Sequence, residues 1–97
     1  MGREQSLVLL ITISSGSGTG TITPAWDQVR WLRIHPVAET DTYDITIKDK
    51  AGFIMLTRTT QLGTFSELVD MSLGIMGSIA IANALQNGTY TCHFDMP

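Results

Sequence analysis

Apolar residues recur along this chain mostly at alternate positions, in short runs broken by Gly, Pro, Asn and Asp, and not at the three-and-four spacing of a helix. The cleanest run is 42–48, where Tyr43, Ile45 and Ile47 alternate with Asp44, Thr46 and Lys48. A period of two places one apolar row on one face of a β-strand. Asp49-Lys50-Ala51-Gly52 then reads as a hairpin loop with glycine at its last position, and Phe53 to Arg58 as the returning strand. Asn87-Gly88 is the strongest short-range hairpin signal, because both residues tolerate the positive φ that a type I′ turn needs. After it, Tyr90, Cys92 and Phe94 alternate with Thr89, Thr91 and His93, which predicts a strand with Cys92 in its apolar row.

The same grammar covers the remaining chain. Leu7 to Ser14 is a strand with Leu7, Leu9, Ile11 and Ile13 on one face, while Val8 and Leu10 make the other face apolar too. A strand apolar on both faces is expected to be central in a sandwich or covered on its outer side by another subunit. Ser15-Gly16-Ser17-Gly18-Thr19-Gly20 is a flexible turn leading into a short strand that ends near Pro24. Val29 to Ile34 is a strand that places Val29 and Trp31 on the core face and Arg30 and Leu32 on the other, and Pro36 ends it by removing a ladder donor. A loop around Gly63 spans 59–64, 66–71 fits a strand better than a helical turn, Gly74 and Gly77 bracket a turn, and Ile79 and Ile81 mark the next strand.

About seven or eight short strands, with turn signals roughly every eight to twelve residues, predict an all-β fold. The expected architecture is an antiparallel β-sandwich or small jelly-roll-like barrel. Residues 1–97 read as a single domain, with 1–24 as an N-terminal strand and glycine-rich hairpin suited to subunit contacts.

Composition sharpens this. Only 15% of the residues are charged although 43% are hydrophobic, against about 25% charged in ordinary domains. The surface must be rich in Thr, Ser, Asn and Gln, or a partner must cover part of it. A net charge of −3 argues against a nucleic-acid binder, which needs a basic footprint. The apolar run at 7–13 is far too short to span a bilayer, and Glu4 and Thr12 do not suit a signal peptide. A lone cysteine, Cys92, cannot form an internal disulfide and reads as a small buried hydrophobe.

The residues with chemical potential do not assemble into a catalytic pattern. The glycine run at 15–20 lacks the Lys-Ser/Thr pair and following helix of a phosphate-binding loop. Glu39, Asp41, Asp44 and Asp49 lack the spacing of a calcium loop and read as a solvated rim. His35 and His93 stand far apart without partners at metal-ligand spacing. No nucleophile elbow or carboxylate pair is apparent, so no enzyme, cofactor or metal is expected. Asn87-Gly88-Thr89 matches a glycosylation sequon, but the turn explains it sufficiently. Tyr90-Thr91-Cys92 resembles the Tyr-x-Cys of immunoglobulin domains but has no second cysteine, so only the sandwich architecture follows. Trp26, following Pro24 in a loop, is a better interface anchor than Trp31, since Trp and Arg are enriched in hot spots. The candidate interface is therefore Val8, Leu10, Gly16, Gly18, Gly20, Trp26 and Arg30.

Ile22-Thr23-Pro24, the run Tyr43 to Asp49 with its Gly52 hairpin, and the closing Asn87-Gly88-Thr89-Tyr90 together resemble small β-sandwich virion proteins of tailed bacteriophages, such as capsid decoration and head or tail accessory proteins. The resemblance implies a non-enzymatic structural protein without cofactor. It would be made in the host cytoplasm, bound in many copies to capsid or tail subunits, and homo-oligomeric or lattice-bound. The alternative expectation is a carbohydrate- or receptor-binding module that uses Trp26 and neighbouring loops.

Overall fold

The computed structural model describes residues 5–22, 28–72 and 77–96. Its eight strands are β1 (Gln5–Ile13), β2 (Gly18–Ile22), β3 (Gln28–His35), β4 (Thr42–Lys48), β5 (Ile54–Leu62), β6 (Phe65–Ser72), β7 (Gly77–Ala82) and β8 (Gly88–Met96). They form two four-stranded antiparallel sheets, ordered β1-β8-β3-β6 and β2-β7-β4-β5. Successive strands cross from one sheet to the other everywhere except at the β4–β5 hairpin, so the sandwich is wound as a jelly roll.

The inward rows of the two sheets meet in one core. Ile11, Leu32, Ile34, Cys92 and Phe94 from the first sheet face Ile22, Tyr43, Ile45, Ile47, Ile79 and Ile81 from the second, all buried. β-branched residues supply much of this interior, as suits side chains packed on a pleated surface. Each fully buried Ile, Leu or Phe contributes up to about 1.5–3 kcal/mol. Cys92 lies within this core, and burial pushes its thiol pKa up to about 12. Native protein should therefore resist modification by a thiol reagent at neutral pH and react promptly once denatured; fast labelling of folded protein would contradict the packing.

The alternation in β4 and the Asp49–Gly52 loop form as the sequence predicts. Asp49 Oδ1 accepts from the Phe53 amide at 2.9 Å, and Gly52, at φ 95°, donates its amide to the Asp49 carbonyl at 3.0 Å. The 66–71 segment is strand, within β6. Residues 59–62 are not loop: β5 continues to Leu62, with Thr60 at φ 53°. Of the expected turn between Gly74 and Gly77, residues 73–76 lie outside the described residues, and Gly77 begins β7.

Two further expectations are corrected. Asn87-Gly88 does not close a hairpin, because β7 and β8 belong to different sheets. Positive φ falls on Asn83 (54°) and Gly88 (142°) rather than on both Asn87 and Gly88. The residues still turn the chain, but across the sandwich. Trp31 is not in the core. Pairing between β3 and β6 shifts between Val29–Met71 and Trp31–Leu68, with Asp70 at φ 48° beside the shift. Val29 and Leu32 are consequently both buried although they are three apart, and Trp31 is left half-buried on the outer face, donating Nε1–H to Ser66 Oγ at 2.8 Å. A register irregularity of this kind reverses which side chains face inward.

The four loops at one end of the sandwich are bound to one another. The Gly16 amide donates to Asn87 Oδ1 at 3.1 Å, and the Ala84 amide to the Gly16 carbonyl at 2.9 Å. The Leu85 amide donates to the Thr42 carbonyl, and the Gly63 amide to that of Asp41. Below them, Tyr43 and Tyr90 pack edge to face with ring centroids 5.1 Å apart. The Tyr43 hydroxyl donates to the Gly63 carbonyl at 2.6 Å, and the Tyr90 hydroxyl donates to buried Asp41 Oδ2 at 3.4 Å.

Candidate interaction site

The N-terminal hairpin is built by glycine. Ser15 at φ 54° and Gly16 at φ 82° supply the positive-φ pair of a two-residue turn, closed by mutual hydrogen bonds between Ser14 and Ser17. The turn chemistry expected at Asn87-Gly88 thus occurs here. Beyond it the strands diverge into separate sheets while β2 presses against β1. A Cβ at Gly18 would stand 2.4 Å from the Thr12 carbonyl oxygen, and one at Gly20 would stand 2.8 Å from Leu9 Cδ2. Gly16, Gly18 and Gly20 therefore have internal roles: they hold the hairpin against the rest of its own chain. Arg30 is exposed beside the β3 register shift. Trp26 lies outside the described residues.

Val8 and Leu10 stand outward on β1 at 53% and 64% exposure. β1 is not central in its sheet; it is an edge strand paired with β8. Across that outer face the registers set Val8 beside His93 and His93 beside Arg33, Leu10 beside Thr91 and Thr91 beside His35, and Asp95 beside Trp31 and Trp31 beside Leu68. The face is apolar at both margins, with Val8 and Leu10 at one and Trp31 and exposed Leu68 at the other, and polar between them.

His35 and His93, far apart in sequence, are neighbours on this face, their rings edge to face with centroids 5.5 Å apart. The β3–β8 pairing brings them together, and no local sequence signal announces it. Thr64 links His35 to the loop end: its hydroxyl lies 3.4 Å from His35 Nδ1 and donates to Glu39 Oε2 at 2.7 Å, while its amide donates to Glu39 Oε1 at 2.9 Å. These Thr64 hydrogen bonds, with a smaller contribution from His35, hold the Glu39 carboxyl below its ordinary value.

The four acids that are close in sequence serve separate ends. Glu39 binds Thr64, and Asp49 shapes the β4–β5 turn. Asp44 accepts from the Thr60 amide at 2.8 Å and from Asn83 Nδ2 at 2.6 Å, bonds that lower its pKa. Asp41 is buried, with Oδ2 accepting from the Ala38 amide and the Tyr90 hydroxyl, and with no hydrogen-bond partner for Oδ1 among the described residues. Among the described residues no three His, Cys, Asp or Glu side chains converge as metal ligands. No described helix is long and apolar enough to cross a membrane. A shallow concavity of about 280 Å³ lies beside the β4–β5 hairpin, lined by Lys48, Asp49, Lys50 and neighbouring small residues.

At the opposite margin from β1–β2, Arg58 on β5 meets Glu67 on β6 across the gap between the sheets, Nε to Oε1 at 3.1 Å and Nη2 to Oε2. Both side chains are about one-third exposed, at 38% and 34%, so solvent screens the pair. Glu67→Gln should lower the urea-unfolding midpoint only slightly, and by less in high salt.

No protein-family model and no curated protein matches the chain. Among solved structures it is similar to the Drosophila NLP-core, whose crystal structure bears on pentamer formation and histone binding, with a TM-score of 0.44 and 8% identity over 96% of this chain and 99% of that one. That likeness carries no inference about what this chain does.

Proposed function

We infer that this chain is a non-enzymatic structural protein of a bacteriophage virion, a capsid decoration or head or tail accessory protein held on the particle in many copies. The observation that carries this reading is the outward pair Val8 and Leu10, exposed on a strand whose other face enters the core through Ile11 and Ile13. An apolar pair at a sheet margin in a chain with so few charges suits a surface that is covered in use. The jelly-roll winding is one that viral capsid domains share with lectins, an analogy of architecture that does not itself assign function. The sequence resemblance to virion proteins supplies the specific class.

The test is co-sedimentation of purified protein with particles of the phage that encodes it, together with mass spectrometry of native particles. Saturable binding that Leu10→Glu abolishes is expected. Protein that stays in the supernatant at every concentration, and is missing from native particles, overturns the reading.

Trp31 favours one second reading. It stands on the outer face with the Ser66 hydroxyl at its Nε1 and Asp95 beside it in register, an aromatic platform flanked by polar groups as a sugar-binding module would need. Glycan-array binding lost in Trp31→Ala or Trp26→Ala, without particle association, would replace the virion assignment with that one.

A further inference from the structure

A β-sandwich has four sheet edges, and three of those here carry features that discourage pairing with another strand. β2 is only five residues long and contains Gly18 and Gly20. β5 has two register irregularities against β4, a positive-φ Thr60 and an Arg58 engaged with the neighbouring edge. β6 has a register shift, a positive-φ Asp70 and two acids, Glu67 and Asp70. Short length, bulges and charge are the usual ways in which sheet edges are kept from joining.

β1 has none of these features. It is nine residues long, contains no charged residue and no proline, and pairs with β8 in unbroken register from Gln5–Met96 to Ile13–Gly88. Among the described residues β8 is its only sheet neighbour. Leu7 and Leu9, on its inward row, are only partly buried, as though the core at this margin lacked one more strand.

We propose that two copies of this chain join edge to edge through β1, antiparallel about a two-fold axis near Leu9, to make one continuous sheet across the pair. This deepens the assembly reading above by naming the partner that β1 meets first. The second copy is the occupant because an antiparallel β1 is complementary to itself. With Leu9 opposite its counterpart, Val8 falls opposite the second copy's Leu10, and Leu7 opposite the second copy's Ile11. The exposed outer pair and the half-buried inner row are then covered together, and no like charges are opposed. Pairing with any other edge of a second copy would meet a strand that is short, bulged or charged. The ladder covers 7–11 and stops before Thr12, whose carbonyl oxygen faces β2 at Gly18.

Two measurements test this on the full chain. The first is solution mass by light scattering: the wild type is expected to be dimeric, and Leu10→Glu, at a position 64% exposed, to weaken association by about tenfold or more while keeping the wild-type circular dichroism. Val8→Lys serves the same purpose should Leu10→Glu fail to fold. The second is oxidation of mixed variants that each carry one exposed cysteine on β1 besides buried Cys92. Val8→Cys mixed with Leu10→Cys should give a mixed disulfide dimer faster than either variant alone, because only the mixed pair is directly opposed. A wild-type monomer up to about 1 mM overturns the proposal. So does a dimer that is indifferent to Leu10→Glu and shows no preference in crosslinking. A β1 dimer that ignores phage particles would refute the virion assignment and leave this proposal standing; particle binding by a monomer would do the reverse.

Discussion

Truncating Tyr90 to alanine is expected to cost about 3–5 kcal/mol, a large part of the stability of a domain of this size. The ring is fully buried on β8, packs edge to face against Tyr43, and carries the hydroxyl that donates to Asp41. Its loss leaves a cavity between the sheets and removes a described donor from a buried carboxylate. Tyr90→Phe separates the two effects: it keeps the ring and should cost only about 1–2 kcal/mol. Urea unfolding followed by circular dichroism measures both, and equal losses would show that the ring contributes nothing beyond its hydrogen bond.

The same residues set an alkaline limit. Burial, followed by the nearby Asp41 charge, pushes the Tyr90 phenol up to about 12; burial also raises Tyr43, and pushes Cys92 to about 12. Folding therefore favours the protonated, neutral form of each group. The stability this supplies is complete below the ordinary values of 9.0 for the thiol and 10.0 for the phenols, and is lost as pH rises toward about 12. A melting temperature that is flat from pH 7 to 9 and falls steeply above 10 is expected. Tyr90→Phe, with one fewer phenol to ionise, should show a shallower fall.

Placing alanine at Gly18 should destabilise the fold by about 1–3 kcal/mol, the ordinary cost of overpacking, and valine by more. The new methyl would meet the Thr12 carbonyl oxygen at 2.4 Å, a backbone atom of a strand paired in unbroken register with β8 and unable to yield as a side chain can. Gly20→Ala is the control. Its methyl would press on Leu9 Cδ2 at 2.8 Å, the far end of a flexible side chain, so its cost should be clearly smaller. Equal effects would contradict the close crossing of β2 over β1. A loss at either glycine would be one of folding, not of an exposed contact, because both are packed against their own chain.

What the sequence declares of this fold depends on distance along the chain. Strand β4, its turn at Asp49–Gly52 and the burial of Cys92 follow from residues within a few positions of one another, where a period of two and a positive-φ glycine speak for themselves. The outward row of Val8 and Leu10 is legible for the same reason. Unbroken alternation through Arg30 places Trp31 on the core face, whereas the shift that turns it outward depends on β6, which lies more than thirty residues further on. Asn87-Gly88 shows that the chain turns but not toward which sheet. The His35–His93 contact and the Arg58–Glu67 bridge depend on which strands are neighbours, a property of the winding and not of either segment.

That winding has a consequence for synthesis. β1, the most apolar strand, is completed in the ladder by β8, the last strand of the order, and Gly16 is clasped by Asn87, seventy-one positions later. On a ribosome moving at about 5–20 residues per second, β1 waits several seconds or more for its neighbour. Folding dominated by such distant pairings is slow, in the range of milliseconds to seconds. During that interval the uncharged strand is an aggregation hazard, so slower translation or crowded expression should divert nascent chains to inclusion bodies.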